Sequence, residues 1–222
     1  GGMSASPISQ PPPDEARLSL TLLTDLTSSL PADATLDFAV EGFEVGEDAG
    51  ALGVLLDNDA WLAFRTARCE LRGLEPGYHL LRAFLLDGST GLTLKSSLAY
   101  VEAEFVVEAP RPVPSRDFLF GQPSICHVSP RGVLRRAEVA AGIVCDFFIH
   151  NCEVSEDAHG YSVRIYVNGA AVATLKKWTA VELRDAEPED GAINVRFVLV
   201  NPAGEEVLSP PFNAAEQAIM IE

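Results

Sequence analysis

The chain carries the same sequence pattern twice. Asp37-Phe38-Ala39-Val40-Glu41-Gly42-Phe43-Glu44-Val45-Gly46-Glu47-Asp48-Ala49 aligns with Asp146-Phe147-Phe148-Ile149-His150-Asn151-Cys152-Glu153-Val154-Ser155-Glu156-Asp157-Ala158. Further on, Glu70-Leu71-Arg72-Gly73-Leu74-Glu75-Pro76 aligns with Glu182-Leu183-Arg184-Asp185-Ala186-Glu187-Pro188. Leu81-Arg82 aligns with Val195-Arg196, and Val107-Glu108 with Ile221-Glu222. Matching blocks in one order predict a repeat of about 110 residues, the size of a domain rather than of a solenoid unit. Whatever one copy folds into, the other must fold into as well.

The boundaries follow. Residues 1–15 read as a disordered lead: Gly1-Gly2-Met3 resembles a cloning scar, and the rest is small, polar and Pro-rich. The first domain is expected over 16–108, a stiff Pro-rich linker over 109–123, and the second domain over 124–222. Asp117 to Gly121 is apolar for a linker and is expected to pack against one domain or between the two.

Each copy reads as short strands. Leu18 to Leu22 and Tyr161 to Val167 alternate with period two. Asn168-Gly169 is a hairpin signal, because a type I′ turn needs positive φ at both central residues. Asp57-Asn58-Asp59 occupies the same place in copy one. Leu80 to Leu86 and Asn194 to Val200 are apolar runs of strand length. Val133 to Ala141 allows a helical turn or two before a strand at Ile143 to His150. The fold class expected is all-β: two tandem antiparallel β-sandwiches related by duplication. The passage Leu71-Arg72-Gly73-Leu74-Glu75-Pro76-Gly77-Tyr78-His79-Leu80-Leu81 through Asp87 resembles the turn-and-strand passage of immunoglobulin-like and fibronectin-type-III-like repeats. That resemblance implies a sandwich fold and no activity. Neither the inter-sheet cysteine pair of antibody domains nor their tyrosine-corner spacing is present in the sequence.

Charge narrows the partners. The chain of 222 residues has 32 Asp and Glu against 16 Lys and Arg, a formal charge of −16. A phosphate-binding surface needs positive potential, so no nucleic-acid partner is expected. No apolar stretch approaches the roughly 20 residues of a membrane helix, so no membrane insertion is expected. If Met3 is the native start, the absence of an apolar leader predicts a cytoplasmic protein.

Four cysteines, Cys69, Cys126, Cys145 and Cys152, are too few for a disulfide scaffold. They read as reduced, partly buried thiols, with a Cys126 bridge to Cys145 or Cys152 left open. No G-x-S-x-G or other nucleophile motif occurs, and Cys69 with His79 has no counterpart pair in copy two, so no catalytic residue is assigned. Weak metal candidates are His150 and Cys152, whose i, i+2 spacing puts both on one strand face, with His159, Glu156 and Asp157. The acidic turns Glu44-Glu47-Asp48 and Glu153-Glu156-Asp157 could offer oxygens to calcium, but neither has the D-x-D-x-D-G alternation, so they read first as solvated loops. Trp61 and Trp178 do not align between the copies, so the shared core does not require them. With Tyr166 they are the candidate contact residues, and the tryptophans also fit a glycan platform.

The function expected is a non-catalytic protein–protein interaction or scaffolding module with no cofactor, part of a larger assembly. Its partner is a protein, basic or itself repeated. The alternatives are a carbohydrate-binding accessory region of a glycan-processing enzyme, and a calcium- or zinc-dependent binding module.

Overall fold

The structure, a computed structural model, describes residues 2–57, 60–110, 121–207 and 214–222, with the side chains at 60, 61, 214 and 215 excluded. The chain divides into two compact units, Pro12–Arg116 and Gly1–Pro11 with Asp117–Glu222.

The chain opens with a strand, β1 (Ser4–Pro7), which belongs to the second unit. The first unit follows with seven strands: β2 (Ser19–Leu22), β3 (Ala34–Glu41), β4 (Ala51–Leu56), β5 (Ala60–Phe64), β6 (Arg68–Leu71), β7 (Gly77–Leu86) and β8 (Tyr100–Val107). They form a sheet of order β2-β3-β6 and a second of order β5-β4-β7-β8, with every pairing antiparallel. Period-two alternation turns Leu20, Leu36, Phe38, Cys69 and Leu71 of one sheet onto Leu52, Val54, Leu81, Ala83, Leu85 and Phe105 of the other, in one buried core.

The second unit repeats the plan. It holds β9 (Ser124–Ser129), β10 (Val133–Leu134), α1 (Arg136–Ala141), β11 (Ile143–His150), β12 (Ser162–Val167), β13 (Ala170–Leu175), β14 (Val181–Arg184), β15 (Ala192–Val200) and β16 (Ala214–Ile221). One sheet has the order β1-β14-β11-β9 and the other β10-β16-β15-β12-β13. With β1 and β10 set aside, the orders of the two units coincide strand for strand. The aligned sequence blocks fall on matching strands: Phe38 on β3 and Phe147 on β11, Leu71 on β6 and Leu183 on β14, Arg82 on β7 and Arg196 on β15. The second core is built around Phe147 and Phe197, whose rings lie 5.1 Å apart, with Ile125, Ile165, Val195 and Ile219. Both units are immunoglobulin-like, fibronectin-III-like sandwiches.

One expectation meets a different structure. Part of the lead is ordered: Ser4–Pro7 pairs antiparallel with Val181–Arg184. Backbone hydrogen bonds recruit it, and these need no hydrophobic pattern in the sequence. The apolar linker residues Asp117 to Phe120 lie outside the described residues, as do Asn58 and Asp59. All four cysteines are free thiols, so the Cys126 bridge is not formed. Cys126 stands opposite Phe148 in the β9–β11 register, while Cys145 points into the second core.

The hairpin signal is met as expected. Asn168 (φ 49°) and Gly169 (φ 79°) join β12 to β13 in the left-handed region. Asn168 also ties the turn down, its Oδ1 accepting from the Asn194 backbone N–H at 2.8 Å.

Candidate functional site

The loops that follow β3 and β11 carry the metal candidates. Both close with the same backbone bonds: Gly50 N–H donates to the Glu44 carbonyl at 3.0 Å, and Tyr161 N–H to the Glu153 carbonyl at 2.8 Å. Gly42 (φ 69°) and Asn151 (φ 58°) occupy aligned positions, and both are left-handed. A Cβ at Gly42 would sit 2.6 Å from the Arg17 backbone, so that position takes glycine for space as well as for φ. This kink ends the strand at His150. The expected shared face for His150 and Cys152 is therefore not formed. Cys152 turns inward and packs on the second core, as Phe43 does on the first. Burial pushes its thiol up to about 12. Glu156, Asp157 and His159 are exposed on the loop. Among the described residues, no three His, Cys, Asp or Glu side chains converge as a metal site would require.

Cys69 and His79 go separate ways. Cys69 is fully buried on β6, its Sγ 3.8 Å from the Thr66 carbonyl, and burial raises its thiol to about 12. His79 starts β7 in the opposite sheet. Its Nδ1 lies 2.8 Å from Asp57 Oδ2, its Nε2 lies 2.6 Å from the Glu75 carbonyl, and its ring stacks on Phe105. Asp57 Oδ1 accepts from the Leu80 N–H at 2.9 Å. The imidazole thus clamps the end of the β4–β5 turn to β7, which is a structural role. A shallow depression in the first unit is lined by Leu23, Thr24, Asp37, Phe38, Thr66, Ala67 and Arg68. Its two charges face each other, Asp37 and Arg68 pairing at 3.3 Å.

Trp178 is half-buried. Its Nε1–H donates to the Phe147 carbonyl at 3.1 Å, and its ring meets Phe148 edge to face at 4.8 Å. It fastens the segment after β13 to β11 rather than presenting a free aromatic face. Trp61 lies on β5, and its side chain is outside the described residues.

Tyr166 is placed differently. Along β12, Val163, Ile165 and Val167 enter the core, so Arg164 and Tyr166 face outward. On β15, Ile193, Val195 and Phe197 point inward and Asn194 and Arg196 outward. Register sets Tyr166 opposite Arg196. The Arg196 guanidinium lies over the Tyr166 ring, 4.3 Å from its centre, and Arg164 Nη1 donates to the Tyr166 hydroxyl at 3.4 Å. That hydroxyl, with Glu206 as a lesser contributor, raises the Arg164 pKa above its ordinary value. All three side chains are half-exposed, and Glu216, in register with Arg196, is exposed at the margin. An aromatic side chain with one guanidinium over its ring and another at its hydroxyl can receive a carboxylate through charge-assisted hydrogen bonds. Sequence reading singled out Tyr166 as a candidate contact residue and did not single out the arginines beside it. Their signal was the period-two alternation that puts residues 164, 166 and 196 on the outer face.

The aligned positions in the first unit behave otherwise. Leu55 and Arg82 pair in register as Tyr166 and Arg196 do, yet both are fully buried. The outer face of this sheet is thus covered in one copy and open in the other.

No family model matches the chain, and no curated protein matches it. Among solved structures it is similar to the fibronectin(III)-like modules of Clostridium thermocellum CbhA, at 11% identity over 91% of this chain and 94% of that one, with a TM-score of 0.34. It is similar to the central fibronectin-III array of RIM-binding protein, at 13% identity over 93% of this chain and 69% of that one, TM-score 0.28. It is also similar to SGBP-B of the Bacteroides ovatus mixed-linkage glucan utilization locus, whose structure holds a mixed-linkage heptasaccharide, at 11% identity over 99% of this chain and 70% of that one, TM-score 0.26.

Proposed function

We propose that the protein is a non-catalytic, two-domain binding module that docks a protein partner on the outer face of the β12–β15 sheet. The observation that carries this reading is the Tyr166 side chain contacted by two guanidiniums, Arg196 over its ring and Arg164 at its hydroxyl. Tyrosine and arginine are the residue types that concentrate binding energy at interfaces, because each offers a large contact area with directed polar groups. The partner segment that fits is acidic. The wider surface, with its net charge of −16, favours basic groups around that contact.

The test is retention of bound protein on an immobilised chain, compared with Tyr166→Ala and with Arg164→Glu/Arg196→Glu. All three side chains face outward, so Tyr166→Ala is expected to melt close to the parent; the double reversal sets a glutamate opposite Glu216 and is expected to melt lower, so capture is compared at a temperature where both variants stay folded. Each is expected to weaken capture of the same partner at least tenfold, about 1.4 kcal/mol. Undiminished capture by the charge-reversal variant rules the face out. Retention of soluble glycans with no protein partner would replace this reading with the carbohydrate-binding one. A melting temperature that rises with calcium or zinc and falls in EDTA would replace it with the metal-dependent one.

A further inference from the structure

The strand that borders β14 comes from the far end of the chain. Thr179 Oγ1 donates to the Ile8 carbonyl at 3.0 Å across 171 positions of sequence. The whole unit Pro12–Arg116 intervenes between β1 and the rest of the domain it joins. What binds β1 is chiefly backbone. Ser4, Ala5, Ser6 and Pro7 stand opposite Arg184, Leu183, Glu182 and Val181, and Ile8 N–H continues the ladder to the Ala180 carbonyl at 2.8 Å. Ser4, Ser6 and Pro7 are exposed, while Met3 and Ala5 reach the second core as partly buried side chains.

Such a ladder does not discriminate between chains. Its hydrogen bonds are identical whether the strand belongs to the same molecule or to another copy. The second core counts no residue of β1 among its buried members. The arm then leaves through Gln10-Pro11-Pro12-Pro13. Consecutive prolines hold an extended, semi-rigid polyproline conformation, so the segment that joins the arm to the first unit is a stiff spacer. A short strand at the end of a stiff hinge, seated on an edge that every copy offers, is the arrangement from which reciprocal exchange arises.

We propose that β1 is an exchangeable arm. Ser4–Pro7 of one copy adds to the Val181–Arg184 edge of a second copy, which returns its own arm in a two-fold symmetric dimer. The same bonds form in both states. Concentration therefore decides between them, measured against the effective concentration of the arm for its own edge.

Ser6 and Glu182 stand opposite each other, and neither reaches the core, so Ser6→Cys and Glu182→Cys can be made singly or together. A mixture of the two single variants, treated with a short bismaleimide, is expected to give a covalent heterodimer. Its yield should rise with protein concentration, and neither variant alone should give it. The double variant links the two positions whether the arm pairs within or between chains. It is expected to yield internally bridged monomer when dilute and covalent dimer when concentrated. A double variant that is only ever bridged internally, with a mixture that stays monomeric even after joint unfolding and refolding, overturns the exchange. A double variant with no bridge of either kind overturns the β1–β14 pairing on which the exchange rests. A synthetic peptide of residues 2–10 that abolishes the heterodimer would confirm that the linked edge is the one β1 fills.

Discussion

Position 151 shows how much one backbone angle decides. The φ of 58° at Asn151 ends β11 and sends Cys152 into the core, so a residue that sequence spacing offered as a metal ligand becomes packing. Cys69, Cys145 and Cys152 share that fate, each with its thiol pKa raised first of all by burial. A thiol raised in the folded state adds stability that is whole below its ordinary value of 9.0 and is lost as pH climbs from there. We expect thiol titration of the native protein near pH 8 to find Cys69, Cys126 and Cys145 silent and Cys152 slow, with all four reacting after denaturation. Fast labelling of any of the three buried thiols would contradict the core assignment. Asp87 runs the other way. Its Oδ1 accepts from the Ser89 hydroxyl at 2.6 Å, the Ser89 N–H at 2.8 Å and the Thr90 N–H at 3.0 Å, which lowers its pKa from the usual 3.8. Its contribution is present above that value and is lost as pH falls through the depressed one. Asp87→Asn keeps an acceptor oxygen but removes the charge, so it should flatten the acid limb of a stability-against-pH curve. An unchanged limb would place the acid sensitivity elsewhere.

At the scale of elements, turns and edges do more than propensity. The β12–β13 hairpin depends on two consecutive left-handed residues, and a Cβ at Gly169 would meet nothing within 4 Å. Gly169→Ala therefore costs backbone strain alone, about 1 kcal/mol, read from chemical denaturation. A larger loss would mean that the turn packs on something further. Core truncation is a heavier change. Phe197 is fully buried and touches both Phe147 and His127, so Phe197→Ala should cost about 3–5 kcal/mol. Trp178 belongs with these core elements, since its N–H and its ring are both engaged by β11. Strand β1 is an element of another kind, a border of four residues whose side chains contribute little.

At the scale of the molecule, the two units share one strand plan and differ in what lies on the outer face of the larger sheet. The first covers Leu55 and Arg82, and the second leaves Tyr166 and Arg196 half-open. A net charge of −16 also acts on the whole chain, because a compact state suffers more self-repulsion than an expanded one. Moderate salt shortens the Debye length to about 10 Å at 0.1 M and should raise the melting temperature relative to low salt. A melt insensitive to salt would mean that the acidic groups are already locally compensated.

The repeated blocks, the alternation along β12, the Asn-Gly turn and the apolar runs of β7 and β15 were legible in the chain itself. They were legible because strand pattern and turn chemistry are local: residues two apart share a face, and particular residues tolerate positive φ. The Gly42–Asn151 alignment was there to be read too, as two left-handed formers at one position, and it contained the orientation of Cys152. Only the tertiary structure decided that Ser4–Pro7 is a strand, since an edge recruits backbone without asking for a side-chain pattern, over 171 positions of sequence. It alone decided that Arg196 joins Arg164 and Tyr166, because cross-strand register brings together residues that local patterning cannot relate.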